Sequence, residues 1–384
     1  MAAEPLQAAS LRVLMTTDTV GGVWQYAMEL CACLCAHGHQ VVLAATGADP
    51  SPDQLAEAGA IDGLEFHAMP WRLEWMSQPW EDIAKAGDWL LHLAARTRPD
   101  LIHLNDYSQG VLPWEAPVLM VGHSCVFSWW HAVHGEAPPA EWDRYRERVG
   151  AGLRAADLVA APTGAMLGEL GRHYGPFRDT RVIPNGRSPA PASDAPAAEG
   201  PVVLAAGRLW DTGKNIQALT AVADRLPWPV CVAGESCHPD GGRSLHPGVR
   251  LLGQLDRAAL AGWMEHAPVY ALPARYEPFG LSPLEAAMAG CALVLGDIPS
   301  LREVWGDAAL YVAPDDHDGL ASVLNRLIDD PGLRERQARR ARDRAARYTP
   351  GAMAAGYLDA YARLLATPAR RFGSPVAVAA GGRP

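Results

Sequence analysis

Short apolar runs of about four residues recur along this chain, and stretches with helical spacing separate them. Candidate strands are residues 13–16, 41–45, 101–104, 118–121, 158–161 and 182–184, then 202–205, 230–233, 249–252, 269–272 and 292–295. Runs this apolar bury both faces of a strand, so the pattern predicts an α/β protein of parallel sheets covered by helices. The length of 384 residues fits two domains of ordinary size. Composition shifts to Pro, Ala, Ser and Asp at 187–200, which places a linker there. The expected units are therefore 1–186, 201–349 and a last helix over 350–366, with 367–384, rich in Ala, Gly, Pro and Arg, expected to be disordered.

The net charge of −10 argues against nucleic acid and against an anionic membrane surface. The Arg-rich run at 334–347 has interleaved acids and helical spacing, and reads as a solvated helix face. The first residues lack a basic start followed by an apolar run, and no stretch is long enough to span a bilayer, so the expected location is cytoplasmic. Seven cysteines form no CxxC pair and read as small apolar residues in a reducing compartment.

The chemistry is densest at Arg275-Tyr-Glu-Pro-Phe-Gly-Leu-Ser-Pro-Leu-Glu-Ala-Ala-Met-Ala-Gly290. Ser282 reads as an N-cap, Pro283 as the first helical residue and Glu285 as the third. Pro278, Phe279, Gly280 and Leu281 lie just ahead, near the positive end of that helix, where a phosphate or sugar hydroxyl can bind. Glu277 and Glu285 can accept hydrogen bonds from sugar hydroxyls. Ser282-x-x-Glu285 is equally a capping box, and Glu277 an ordinary loop acid.

This stretch resembles the Glu-x7-Glu signature of retaining glycosyltransferases of the GT-B fold, the large family 4 group. The likeness continues through Gly290-Cys-Ala-Leu-Val-Leu, Ser300-Leu-Arg-Glu303-Val and Ala308-Ala-Leu-Tyr-Val-Ala-Pro-Asp315. Pro278 stands where the family usually has Gly, and Ala292 where it has Pro. Ile183-Pro-Asn-Gly186 matches the usual end of the first domain. The resemblance implies two Rossmann-like domains facing each other across a cleft, with the last helix crossing back to the first domain. It implies that Glu285 holds the ribose of a nucleotide-sugar donor, and that Glu277 with the following backbone, including Phe279, Gly280 and Leu281, holds the transferred sugar.

Other residues join this reading. Arg208 follows a strand and Lys214 opens the next helix, so two cations can neutralise a departing diphosphate. The resemblance implies that they replace a metal ion. Five residues separate Gly207 from Gly213, and Asn215 follows the lysine, so this is not a P-loop. Gly21-Gly22 follows the first strand and lets backbone approach a ligand closely. The family implies that this loop meets the donor across the cleft, that a His at the position of His123 touches the sugar, and that base recognition uses backbone near Leu255. Asp106 ends a strand, where it orients an acceptor or caps a loop. Eight tryptophans crowd residues 71–142, and Trp129 and Trp130 are the preferred acceptor contacts, although core filling explains many of the eight. Asp316-His-Asp318 reads as a helix cap; no metal and no cofactor are expected.

The sequence thus predicts a metal-independent retaining transferase with a nucleotide-sugar donor and a small-molecule or glycan acceptor. The alternatives are another GT-B enzyme, an epimerase or phosphorylase, or a non-catalytic nucleotide-sugar binder. Lys214 is the only lysine between 201 and 349, which argues against a pyridoxal-phosphate phosphorylase. Donor base, sugar, acceptor and oligomeric state are not encoded in these motifs.

Overall fold

A computed structural model describes residues 10–190, 199–237, 241 and 246–366. The first sheet holds β1 (Arg12–Asp18), β2 (Gln40–Thr46), β3 (Leu64–Met69), β4 (Leu101–Leu104), β5 (Val118–Val121), β6 (Leu158–Ala161) and β7 (Thr180–Val182). The second holds β8 (Val203–Ala206), β9 (Val230–Ala233), β10 (Arg250–Gly253), β11 (Val269–Leu272), β12 (Ala292–Gly296) and β13 (Leu310–Val312). Every described strand pair is parallel. The cause lies in the strands themselves: β4, β5, β6, β8, β9, β11 and β12 are buried along their whole length, so helices must cover both faces.

The first sheet runs β3-β2-β1-β4-β5-β6-β7 and the second β10-β9-β8-β11-β12-β13. Strand order therefore reverses between β1 and β4, and again between β8 and β11. Crevices at the carboxyl ends of strands at such points are where open α/β sheets bind ligands. The loop after β1 carries Gly21 and leads into a helix starting at Gly22, that after β4 carries Asp106, that after β8 carries Arg208 and Lys214, and that after β11 carries Glu277. This topology is the GT-B arrangement.

Two strands escaped the sequence pattern. β3 is an edge strand in which Leu64, Phe66 and Ala68 alternate with Glu65, His67 and Met69, so it offers no continuous apolar run. β13 is three residues long. The expected strand at 182–184 instead occupies Thr180–Val182, pairing with Val159–Ala161. The helix Pro350–Ala366 packs Met353, Tyr357, Tyr361 and Leu364 into the core of the first sheet. There Tyr361 Oη lies 2.6 Å from Nδ1 of the buried His103 on β4. The tail expected to be disordered, and most of the linker, lie outside the described residues. No described helix is long and apolar enough to cross a membrane.

Candidate active site

The helix carrying Glu285 runs from Leu281 to Ala289 and starts two residues earlier than Ser282 as N-cap would allow. Its N-cap is Gly280, held at φ +93°, a conformation that glycine adopts without strain. The expected capping box is therefore not formed. Ser282 Oγ instead accepts from Tyr270 Oη at 2.8 Å, and Glu285 sits in the second turn, beyond reach of the helix start. Glu285 is thereby left to other partners: its Oε1 accepts from Arg187 Nε at 2.6 Å.

Arg187 is a buried residue that the sequence reading passed over. Its Nη1 meets Glu29 of helix Gly22–Ala36 at 3.2 Å, so one guanidinium joins the two domains. Glu29 also accepts from Ser188 N and Oγ, at 3.1 and 2.7 Å, and from Arg257 Nη2 at 3.3 Å. A cavity of about 150 Å³ opens beside this network, lined by Leu255, Arg257, Met264, Glu285 and Met288 among others. Its lining mixes apolar side chains, among them Leu255, Met264 and Met288, with the charged Arg257 and Glu285.

Glu277 is buried, and its Oε2 lies 2.6 Å from Lys214 Nζ. The two residues stand 63 positions apart, and the loops after β8 and β11 bring them together. Ser300 Oγ donates to the Glu277 carbonyl at 2.6 Å, and Thr163 Oγ1 of the first domain donates to the Pro278 carbonyl at 2.9 Å. Phe279 differs in role from its motif neighbours. Its ring is buried against Tyr348, with centroids 5.4 Å apart, so only its backbone can face the cleft. Leu281 Cδ1 lies 3.6 Å from where a side chain on Gly22 would begin, so the Gly21-Gly22 loop closes over the motif.

Arg208 is held by Asp211 Oδ2 at 3.1 Å and lies over the Trp210 ring, 5.0 Å from its centroid. Asp211 is buried and accepts on Oδ1 from Gly213 N (2.9 Å) and from Trp129 Nε1 (2.8 Å). Trp129 belongs to helix Val126–His134 of the first domain, so its indole N–H is turned to the opposite domain. The Trp130 ring packs against His134 at 4.6 Å between centroids.

Across the cleft, Asn105 Oδ1 accepts from His123 Nε2 at 2.8 Å, and Asn105 Nδ2 donates to Thr16 O at 2.6 Å. Thr16 Oγ1 donates to Asp106 Oδ1 at 2.8 Å. Burial holds the His123 imidazole down to about 3, so it is neutral in the physiological range. Two further buried carboxylates, Asp18 and Glu74, feel the charge of Asp106. Burial pushes Asp18 and Asp106 up to about 6 and Glu74 up to about 7; Asp106 adds to the rise in the other two, while Arg208 draws Asp18 back down. Glu74 binds the turn after Asp106 through Tyr107 N, Ser108 N and Ser108 Oγ. Trp75, its neighbour, stacks on Trp210 of the second domain at 6.4 Å and 24°.

Nearly all the motifs thus converge on one cleft between the domains. Residues 20–190 match Glycosyltransferase Family 4, and residues 190–344 match Glycosyl transferases group 1. The chain belongs to the family-4-like group 1 glycosyltransferases. It is 29% identical over 377 residues to a glycogen synthase of Mycobacterium tuberculosis, covering 87% of this chain and 90% of that one. Identity is 28% over 371 residues to a phosphatidyl-myo-inositol mannosyltransferase of Mycolicibacterium smegmatis, covering 90% of each chain. The fold matches a sucrose-phosphate synthase from Thermosynechococcus elongatus with a TM-score of 0.77 at 22% identity, covering 93% of this chain and 99% of that one.

The candidate site also brings together residues with no local signature. Asp18, Glu29, Glu74, Arg187, Asp211 and Arg257 belong to no short motif; only the pairing of distant loops reveals them. Among the described residues, no group of three or more His, Cys, Asp or Glu side chains is arranged to hold a metal ion.

Proposed function

We propose that this enzyme is a metal-independent retaining transferase that moves a sugar from a nucleoside diphosphate sugar to a hydroxyl of a neutral, polyhydroxylated acceptor. The observation that carries the reading is the 2.6 Å pair of Lys214 and Glu277, which puts a cation for the diphosphate beside a carboxylate for the sugar. Arg208 supplies a second positive charge from the same loop. The base and ribose fit the cavity beside Leu255 and Glu285, where ribose hydroxyls would exchange with the Arg187 contact. Gly21 and Gly22 close over the diphosphate, and neutral His123, with Nε2–H given to Asn105, can accept a hydrogen bond from the sugar on Nδ1 without bringing charge.

Leaving-group stabilisation by fixed cations takes the role that a divalent ion plays elsewhere. In this reading no carboxylate is left to act as a nucleophile: Glu277 is paired with Lys214, Glu285 with Arg187, and the acids around Asp106 belong to the acceptor side. This favours attack from the same face as the departing diphosphate, whose oxygen takes the acceptor proton. Domain closure then keeps water from the donor.

The acceptor side is acidic, through Asp18 and Asp106, and Trp75 and Trp210 flank it. Carboxylates accept from hydroxyls and repel phosphate. The relative named for phosphatidyl-myo-inositol works on a phosphate-bearing acceptor; this wall favours the uncharged member of such a pair.

The test is a thermal-shift panel of UDP, GDP, ADP, TDP and their common sugars, with and without EDTA. One nucleotide at about one hundred times its Kd adds about 2.7 kcal/mol, a clear rise in Tm. We expect that rise with EDTA present, and its loss in Glu285→Ala. No rise with any nucleotide would sink the donor site, and loss of the rise in EDTA would sink the metal-free reading. With the donor in hand, transfer to glucose should exceed transfer to glucose 6-phosphate, and the product anomer read by NMR should match that of the donor.

A further inference from the structure

Arg208 reaches into the cleft on a side chain that is 40% exposed, so something must hold its guanidinium in place. Asp211 does so through one contact, Oδ2 to Nη2 at 3.1 Å. A free carboxylate and a guanidinium prefer a two-point fork, with both oxygens engaged. Here the fork is prevented, because Asp211 Oδ1 already accepts Gly213 N at 2.9 Å and Trp129 Nε1 at 2.8 Å. The remaining guanidinium N–H groups stay free of Asp211 and can meet an incoming phosphate.

Trp129 comes from the opposite domain, and its approach is built in. A side chain on Gly213 would begin 2.9 Å from Trp129 Nε1 and 3.0 Å from Asp211 Oδ1, so glycine there makes room for the indole. The same turn, Thr212–Lys214, carries the second cation, and Lys214 N donates to the Asp211 carbonyl at 2.9 Å. The Gly213 carbonyl then accepts Arg275 N and Tyr276 N at 2.9 and 3.1 Å, which ties the turn to the Glu277 loop.

The geometry points to a positioning relay: Trp129 of the first domain occupies Asp211, and Asp211 thereby presents Arg208 to the diphosphate only when the domains are apposed. The relay rests on the donor reading above and adds a coupling to it. When the domains separate, Asp211 loses the indole donor; Oδ1 keeps only its bond from Gly213 N, so the lone pair that Trp129 occupied becomes free to draw Arg208 toward Asp211 and away from the ligand. Domain closure and leaving-group stabilisation become one event, which protects the donor from hydrolysis while the cleft is open.

The test uses UDP, GDP, ADP and TDP, each paired with its monophosphate, in calorimetric titrations of the full chain. Wild-type protein should bind one diphosphate well above its monophosphate. Trp129→Phe keeps the ring and removes the N–H; it should lower affinity for that diphosphate about tenfold and leave the monophosphate unchanged. In an Arg208→Gln background the same substitution should have no further effect, because the relay ends at Arg208. A merely structural role for Trp129 would move both nucleotides together. The relay is overturned if Trp129→Phe preserves the diphosphate preference, or if its effect persists undiminished without Arg208. Should Trp129→Phe fail to fold, Asp211→Asn carries the test: it keeps an acceptor for the indole, removes the charge facing Arg208, and should erase the same preference; preference retained overturns the relay. Wild-type protein without a preference for any diphosphate would instead sink the donor reading, a result separable from every variant outcome.

Discussion

Asp106 lies in the loop just after β4, one of three acids whose carboxyls burial pushes upward. Its ordinary value is 3.8 and its folded value about 6, so the folded chain holds this proton more tightly than the unfolded chain does. Stability from the protonated form is therefore full below the ordinary value and is lost as pH rises through about 6. Asp106→Asn keeps an oxygen to accept from Thr16 Oγ1 and removes the charge. It should raise Tm by a few degrees at about pH 8 and lose that advantage at about pH 4, read by thermal melts across the range. Equal melting at the higher pH, or an advantage that persists in acid, would reject the account. Asp106, Arg208 and Lys214 stood out in the sequence near a strand end or a glycine, and Glu277 and Glu285 by their eight-residue spacing across one loop and helix start. Asp18 and Glu74 did not, because their raised pKa values arise from burial and from the nearby Asp106 carboxylate, which no local pattern encodes. Arg187 was missed for a similar reason: it stands in the segment read as linker, yet it is buried between two carboxylates from different domains.

Elements follow the sequence where they are apolar throughout and depart from it where geometry is decided by neighbours. β5, β11 and β12 fall at their expected positions because four or five consecutive buried residues leave no other reading. The start of helix Leu281–Ala289 does not, because Tyr270 claims the Ser282 hydroxyl and Gly280 supplies the turn. The loop that carries Arg208 depends on a second such glycine. Gly234, just after β9, has φ +142°, and a side chain there would begin 1.8 Å from the Gly207 carbonyl. Gly207 N in turn donates to the Ala233 carbonyl at 3.0 Å, so the two loops share one tight seam. Gly234→Ala must therefore push the Arg208 loop away from β9. We expect a loss of at least about 2 kcal/mol in urea unfolding from backbone strain and overpacking together. A change within a few tenths of a kcal/mol would mean that the seam is pliable.

At the scale of the whole molecule, contacts between the domains lie along both sides of the cleft. On one side, Arg187 links Glu29 to Glu285. On another, helix Gly164–Tyr174 of the first domain presents Gly164 N and Ala165 N to the Glu303 carboxylate of the second, at 2.7 and 2.9 Å. A carboxylate at a helix start is favoured by the unpaired N–H groups and the helix dipole together. The helix also has its own cap, Thr163 Oγ1 accepting from Met166 N at 3.1 Å, so losing Glu303 should leave the helix folded and loosen only the junction. Glu303→Ala removes two cross-domain hydrogen bonds at an exposed position, a cost of about 1 kcal/mol. That cost falls on the closed arrangement alone, since an open molecule makes neither bond. The population of open molecules should then rise several-fold without a matching fall in the stability of either sheet. Small-angle scattering of the unliganded variant should give a larger radius of gyration than wild type, with the difference shrinking when the nucleotide identified in the thermal-shift panel is added. An unchanged radius in the unliganded variant would show that the Arg187 network and the Trp129 contact hold the domains together without Glu303.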